Sequence, residues 1–169
     1  MSKQSLFVDH RKNDMLVYFA GPLFCEAERV FNLRLAEKLE AKGYQVFLPQ
    51  RDGVESEKPP YNKTPNDELQ KTIFELDREK TLQADIFLIV LDGRVPDEGA
   101  CVELGIAYGQ KHLLQQDKLL IGLHTDMRGA FPGGKLNAMI NGALDCTMGD
   151  EEELIAEIEA FRSARKARV

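Results

Sequence analysis

Residues 85–91 (DIFLIVL) contain six consecutive apolar residues, Ile86 to Leu91, and this run constrains the fold more than any other segment. A half-exposed strand alternates polar and apolar residues, whereas an unbroken apolar run is typical of a parallel strand that is buried on both faces. Parallel strands are joined by long crossover connections, usually helices. The run therefore predicts a parallel sheet that is covered by helices on both sides.

The rest of the chain supports this prediction. Residues 15–20, 44–48 and 118–123 are further apolar, strand-like runs, and apolar residues at helical spacing follow in 24–43, 69–76, 99–111 and 150–161. Residues 49–67 contain four prolines and are predicted to be a long loop, and 128–135 are a second loop, rich in Gly and Pro. We expect an α/β fold with a doubly wound parallel sheet, a single domain over 15–165 and a polar lead-in over 1–14. Ligands of such sheets bind where strands end, here after Ala20, Leu48 and Leu91.

Charge and composition exclude several classes of function. The net charge of −6 argues against a nucleic-acid partner, which usually requires a basic face. The three cysteines and three histidines are scattered, so neither a disulfide framework nor a metal site is expected, and the loop PGGK (132–135) lacks the remainder of a phosphate-binding motif. No apolar run is long enough to cross a membrane, and the lead-in has no signal-peptide pattern. We expect a cytoplasmic protein without a cofactor.

Glu103 is the strongest candidate for a chemical role. It is the only charged residue between Gly99 and Gly109, and Cys101, Val102, Ile106 and Ala107 surround it in the sequence. The start of this helix faces the ligand crevice. There the helix dipole favours the ionised form of a carboxylate, whereas desolvation opposes ionisation. Such a group suits a nucleophile, although an exposed helix residue or a structural ion pair would fit the pattern equally well.

Three other residues have a structural and a functional interpretation each. Asp97 precedes a predicted helix, so an N-cap is its simplest role, although an aspartate at the end of a strand can also bind a sugar hydroxyl. Asp77 falls toward the apolar side of its helix, where a carboxylate needs a partner or a function. Tyr18 lies inside the first strand, and the pattern alone favours an ordinary core aromatic.

Four segments taken together resemble the nucleoside 2-deoxyribosyltransferase family: VYFAGPLF (17–24), ELDREKTLQADIFLIVLDG (75–93), PDEGACVELGIAYGQ (96–110) and LNAMINGA (136–143). They occur in the family's order and spacing. The resemblance implies a flavodoxin-like fold and a reaction that transfers 2-deoxyribose from a deoxynucleoside donor to a free nucleobase acceptor.

The resemblance also implies roles for individual residues. Glu103 matches the nucleophile and Tyr18 the tyrosine that positions it, while Asp77 and Asp97 match the aspartates that bind deoxyribose and assist proton transfer, in a division that stays open. Matching substrate-binding positions are Gly21, Phe24, Gln50, Asp52, Gly99, Asn137 and Met139.

Asn137 matches an asparagine that reaches the 5′-hydroxyl in a neighbouring subunit's site, which implies a homo-oligomer with shared sites. Because residues 91–110 contain no serine to bind a 5′-phosphate, a nucleoside is favoured over a nucleotide. The basic end of the chain, ARKARV (164–169), departs from relatives that place a C-terminal carboxylate in the site. Two alternatives remain: a deoxynucleoside or deoxynucleoside 5′-monophosphate N-glycosidase, and a nucleotide-sensing α/β binding module without turnover.

Overall fold

A parallel five-stranded sheet forms the centre of the molecule in the computed structural model, which describes residues 15–54, 61–126 and 136–168. The strands lie in the order β2-β1-β3-β4-β5, and every neighbouring pair is parallel. This order is that of flavodoxin-like folds, so the predicted fold class is confirmed. The strands are β1 (Leu16–Ala20), β2 (Gln45–Phe47), β3 (Ile86–Val90), β4 (Leu119–Leu123) and β5 (Cys146–Met148).

Helices cover both faces of the sheet. They are α1 (Glu26–Ala41), the short α2 (Pro49–Asp52), α3 (Asn66–Gln83), α4 (Glu98–Leu113), α5 (Ala138–Ala143) and α6 (Glu151–Ala167), with a 3-10 turn at Tyr61–Lys63. One core packs α1 and α6 on one face of the sheet, and a second core packs α4 and α5 on the other. No helix in the described ranges is long and apolar enough to span a bilayer.

The two cores explain the unbroken apolar run of β3. Ile86, Leu88 and Val90 belong to the core under α1 and α6, whereas Phe87 and Ile89 belong to the core under α4. All five are buried. Because successive side chains of a strand point to opposite faces, a central strand that is covered on both sides needs an apolar residue at every position.

The structure corrects the prediction for residues 49–67. This segment is not one long loop, because α2 begins directly after β2, the 3-10 turn follows, and α3 already begins at Asn66. Asp52 stabilises α2 by accepting a hydrogen bond from the Leu48 amide at 2.8 Å. The edge strand β5 is not predicted from the sequence, because its three residues are too few to show a period. The predicted loop at 128–135 and the lead-in at 1–14 lie outside the described residues.

Helix ends follow local chemistry. Gly43, just beyond the end of α1, has a φ of +83°, a conformation that favours glycine. Asp150, the first residue of the predicted helical segment 150–161, caps α6 by accepting a hydrogen bond from the Glu153 amide at 2.8 Å. The last helix therefore begins where the sequence places it.

Candidate active site

Tyr18 lies on β1, an interior strand of the sheet, and its ring is stacked between two neighbours. The partners of Tyr18 in the register of β1 with β2 and β3 are Phe47 and Phe87. Their rings stack on the two sides of the tyrosine at centroid distances of 5.6 and 5.7 Å. The side chain is completely buried. Its hydroxyl points away from the sheet and donates a hydrogen bond to Glu103 Oε1 at 2.7 Å.

Glu103 lies in the second turn of α4, facing that hydroxyl. Burial is the main reason why the pKa of Glu103 rises from 4.5 to about 7, and the negative charges of Asp77 and Asp97 raise it further. The hydrogen bond from Tyr18 acts in the opposite direction, because it favours the ionised carboxylate. Among the described residues Tyr18 is the only hydrogen-bond partner of this side chain. Glu103 is therefore a poorly solvated carboxylate with one oxygen held and the other free.

Asp77 completes the cluster from α3. Burial raises the pKa of Asp77 to about 6. Its negative charge raises the pKa of Tyr18 and of Glu103, although burial is the larger cause for both. The structure shows no hydrogen bond to the Asp77 carboxylate within the ranges that it describes. The phenol of Tyr18 thus remains protonated, and it donates its hydrogen bond to Glu103.

Asp77 and Glu103 face each other across a groove between α3 and α4. The groove has a volume of about 360 Å³, enough for one small ligand. Its walls are mostly apolar, and its lining includes Ile73 and Phe74 from α3 and Gly99, Val102 and Ile106 from α4. The arrangement is that of a ligand site: an apolar cleft with a few convergent titratable groups.

Three of the four predicted catalytic residues, Tyr18, Asp77 and Glu103, therefore come together. The fourth, Asp97, caps α4 by accepting a hydrogen bond from the Ala100 amide at 2.8 Å. This confirms the capping interpretation. The charge of Asp97 also acts on Glu103 and raises its pKa, so the head of α4 is part of the same electrostatic environment.

Four of the predicted substrate-binding residues lie at the carboxyl ends of β1 and β2, outside the lining of the α3–α4 groove: Gly21, Phe24, Gln50 and Asp52. Gly21 has a φ of +150°, and a Cβ there would meet Val90 Cβ at 3.0 Å, so the chain needs glycine at this point. Phe24 is 75% exposed. The amide of Gln50 donates to the Arg29 carbonyl at 2.8 Å, and the Asp52 carboxylate is bound by its own helix.

Asn137 and Met139 lie on the opposite side of α4. Asn137 caps α5 by accepting a hydrogen bond from the Met139 amide at 2.8 Å, and Met139 is 82% exposed. A second groove of about 430 Å³ separates α5 from α4 and is lined by uncharged residues, among them Leu104 and Tyr108. Within one chain, α4 thus stands between Asn137 and the groove that contains Glu103.

Asn32, a buried polar residue of α1, is not among the residues that the sequence predicts for the site. Its Nδ2 donates to the Pro22 carbonyl at 2.9 Å and to Gln50 Oε1 at 3.1 Å, so it connects the loop after β1 to α2. A signal for it exists, since Asn32 falls on the same helical stripe as the buried residues Leu35 and Leu39. The described residues contain no cluster of His, Cys, Asp or Glu suited to a metal ion, and the three cysteines are free.

The chain is similar to a known protein family and to several solved structures. The model of the nucleoside 2-deoxyribosyltransferase family matches residues 17–153. Among solved structures, a conserved protein from Enterococcus faecalis V583 is 26% identical with a TM-score of 0.70, covering 87% of this chain and 98% of its own. The 2-deoxyribosyltransferase of Bacillus psychrosaccharolyticus is also 26% identical, with a TM-score of 0.62 and coverage of 82% and 89%.

A CMP N-glycosidase from Clostridium botulinum shares the fold at 17% identity, with a TM-score of 0.52 and coverage of 86% of this chain and 98% of its own. At that identity the likeness concerns the fold alone. No curated protein matches the chain closely enough to add a relative.

Proposed function

The chain belongs to the nucleoside 2-deoxyribosyltransferase family, a family of enzymes, and from this premise we propose that it transfers 2-deoxyribose between nucleobases through a covalent ester on Glu103. The observation that carries the proposal is the 2.7 Å hydrogen bond from Tyr18 to Glu103 at a groove that also contains Asp77. A binding module has no need for two partly desolvated acids that face each other across its ligand site.

In the first half of the reaction the free carboxylate oxygen of Glu103 attacks C1′ of the deoxyribose. The C1′–N bond breaks, the electron pair leaves with the base, and a proton from Asp77 or Asp97 neutralises the departing nitrogen. The carbon passes through a state with positive charge on the sugar ring, as in retaining glycosidases. A 2-deoxy sugar lacks the electron-withdrawing hydroxyl that would destabilise this charge, so a carboxylate suffices as the nucleophile.

Tyr18 supports this step through orientation. Its ring is stacked between Phe47 and Phe87, so its hydroxyl holds one oxygen of Glu103 and leaves the other toward the groove. The same hydrogen bond opposes the effect of burial on the pKa of Glu103 and keeps a larger fraction of the carboxylate ionised near neutral pH. Positioning of this kind lowers the barrier without any chemistry by the tyrosine itself.

In the second half a free nucleobase attacks C1′ from the side that the first base left. The ester bond to Glu103 breaks, the carboxylate is regenerated, and the proton on the attacking nitrogen returns to the acid. Two inversions retain the configuration at C1′, and the kinetics are ping-pong. Water in place of the base gives hydrolysis, so the apolar walls of the groove favour transfer by limiting access of water.

We further propose that the working unit is a homo-oligomer in which Asn137 of one copy serves the site of another. Within one chain α4 separates Asn137 from the groove that contains Glu103. Asn137 can therefore reach the groove of a second copy more easily than its own. Phe74, Val102, Tyr108 and Met139 present exposed apolar side chains on α3, α4 and α5, which suits an interface between copies. Asn137, together with the absence of serine from residues 91–110, also favours a nucleoside over a nucleotide.

An exchange assay tests the proposal. Deoxyadenosine or its 5′-monophosphate is incubated with and without cytosine, and products are separated by chromatography. Transfer predicts deoxycytidine that depends on cytosine, is faster from the nucleoside, and is abolished in Glu103→Ala but not in Glu37→Ala, a control at an exposed carboxylate of α1. Free adenine without added acceptor, at the rate seen with it, would instead indicate an N-glycosidase. Binding without any turnover would indicate a binding module.

A further inference from the structure

Four polar or charged residues are buried among the described residues, and three of them meet at one place outside the lining of the catalytic groove. These are Thr81 at the end of α3, Gln110 near the end of α4, and Lys118 directly before β4. Asn32, the fourth, lies on the other face of the sheet. Burying an ammonium group is costly unless its donors are all used, so this cluster requires an explanation.

Hydrogen bonds join the three residues into a cap on α3. Lys118 Nζ donates to the Thr81 carbonyl at 2.7 Å and to Gln110 Oε1 at 2.5 Å, and lies 3.5 Å from the Leu82 carbonyl. The Leu82 carbonyl also accepts from Gln110 Nε2 at 2.8 Å. Carbonyls in the last turn of a helix have no partner within that helix. The end of α3 is thus capped by side chains from α4 and from the residue before β4.

The cap and the catalytic groove lie along the same contact between α3 and α4, which we call the seam. Thr81 follows Asp77 by one turn of α3, and Gln110 follows Glu103 by two turns of α4, so each pair shares one face of its helix. Ile73 and Ile106 line the groove from the corresponding stripes. The distance along α4 from Glu103 to Gln110 is only about 10 Å at 1.5 Å per residue. The cap and the groove are therefore the two ends of one contact between α3 and α4.

We propose that Lys118 and Gln110 are positioning residues for the site, because they fix the end of α3 on α4 and so set the distance between Asp77 and Glu103. Apolar contacts alone would let two helices slide along each other, whereas three directed hydrogen bonds define one axial position. The inference rests on the proposed function, in which the acid and the nucleophile must act on one sugar. A misplacement of about 1 Å between such groups can cost about a hundredfold in rate.

Thr81 connects the cap to Tyr18. Its carbonyl is held by Lys118, and its buried hydroxyl lies near the phenol of Tyr18 without a hydrogen-bond partner among the described residues. A shift of the last turn of α3 would therefore move both Asp77 and the surroundings of the Tyr18 hydroxyl. Both changes would reach Glu103.

Two variants test the proposal, Lys118→Met and Gln110→Met, each replacing a polar side chain by an unbranched apolar one of similar length. Leu39→Ala, in the core under α1 on the opposite face, is the control for loss of stability alone. We expect kcat for exchange to fall at least about tenfold in either seam variant while KM changes little, and the acid limb of the pH profile to move. The control is expected to lose thermal stability but to keep the kcat and the pH profile of the original chain. Should Lys118→Met not fold, Gln110→Met alone decides.

A second readout separates this inference from the proposed function. Titration of the Glu103 carboxyl carbon by 13C NMR reports its surroundings whether or not the protein is active. If the original chain shows no exchange, the proposed function fails, and the titration still tests the seam. A titration midpoint of Glu103 that differs between the seam variants and Leu39→Ala supports the proposal. The same midpoint and the same kcat in all of them would overturn it.

Discussion

Replacing Glu103 with glutamine should stabilise the folded protein above neutral pH and leave it nearly unchanged in weak acid. Glutamine has almost the same shape, and its carbonyl oxygen can still accept the hydrogen bond from Tyr18. What it removes is a charge that the folded state disfavours, since burial and the neighbouring carboxylates raise the pKa of Glu103. The variant therefore isolates the electrostatic cost of the nucleophile.

The sign and size of the effect follow from that pKa. A carboxyl group whose pKa is higher in the folded than in the unfolded state lowers the free energy of unfolding once the pH exceeds the unfolded pKa. This loss is complete when the pH also exceeds the folded pKa. For a shift from 4.5 to about 7, the loss is less than about 1 kcal/mol near pH 5 and about 3 kcal/mol near pH 8. Glutamine at this position should recover that amount.

Urea unfolding of both proteins near pH 5 and near pH 8 measures the difference. Glu37→Gln on α1 is the matched control, because it removes an exposed carboxylate with the same change of side chain. We expect a gain in unfolding free energy near pH 8 for Glu103→Gln alone. Equal stability of the variant and the original chain at both pH values, or a gain that does not depend on pH, would refute the reasoning about desolvation.

Three further substitutions test the other members of the site. Tyr18→Phe removes the hydrogen bond that lowers the pKa of Glu103, so the acid limb of the kcat/KM pH profile should move to higher pH. The rate near neutral pH should fall about tenfold or more, and an acid limb that does not move would contradict this role of Tyr18. Asp77→Asn removes a charge that raises the pKa of Glu103, so the acid limb of the pH profile should move to lower pH. It also removes a candidate general acid, so donors whose bases are poor leaving groups should lose about a hundredfold in rate, and an equal loss for all donors would exclude Asp77 as the acid. Asp97→Asn keeps an equally good N-cap, so thermal stability should be retained while KM for the deoxynucleoside rises. An unchanged KM would mean that Asp97 serves only as the N-cap of α4.

Much of the fold could be predicted because its strongest signals are local. The run in β3 is apolar at every position since both faces are covered, and Asp150 marks the start of α6 through its own side chain. By contrast, β5 depends on pairing with β4 rather than on its own sequence of three residues. The short α2 was missed because the prolines and charges of its segment resemble those of a loop.

Part of the site could be predicted for the same reason. Glu103 is conspicuous as a lone charge in an apolar helix, and Asp77 as a charge toward an apolar stripe. The contact between Tyr18 and Glu103 joins residues 85 positions apart, so the pattern of one strand favoured a core aromatic. Lys118 and Gln110 could not be predicted, because in the cap they bind backbone carbonyl groups. Every residue type carries such a group, so the sequence gives no sign of these partners.

The most direct test of the central claim is the mass of the protein after brief reaction with a deoxynucleoside in the absence of any acceptor. Acid quenching followed by intact-mass and peptide mass spectrometry should reveal one added deoxyribosyl group on the peptide that contains Glu103, and fragmentation should assign it to that side chain. Addition of a free nucleobase before the quench should remove it, and Glu103→Gln should never acquire it. Turnover without such an adduct on the original chain, or an adduct on another residue, would contradict the account.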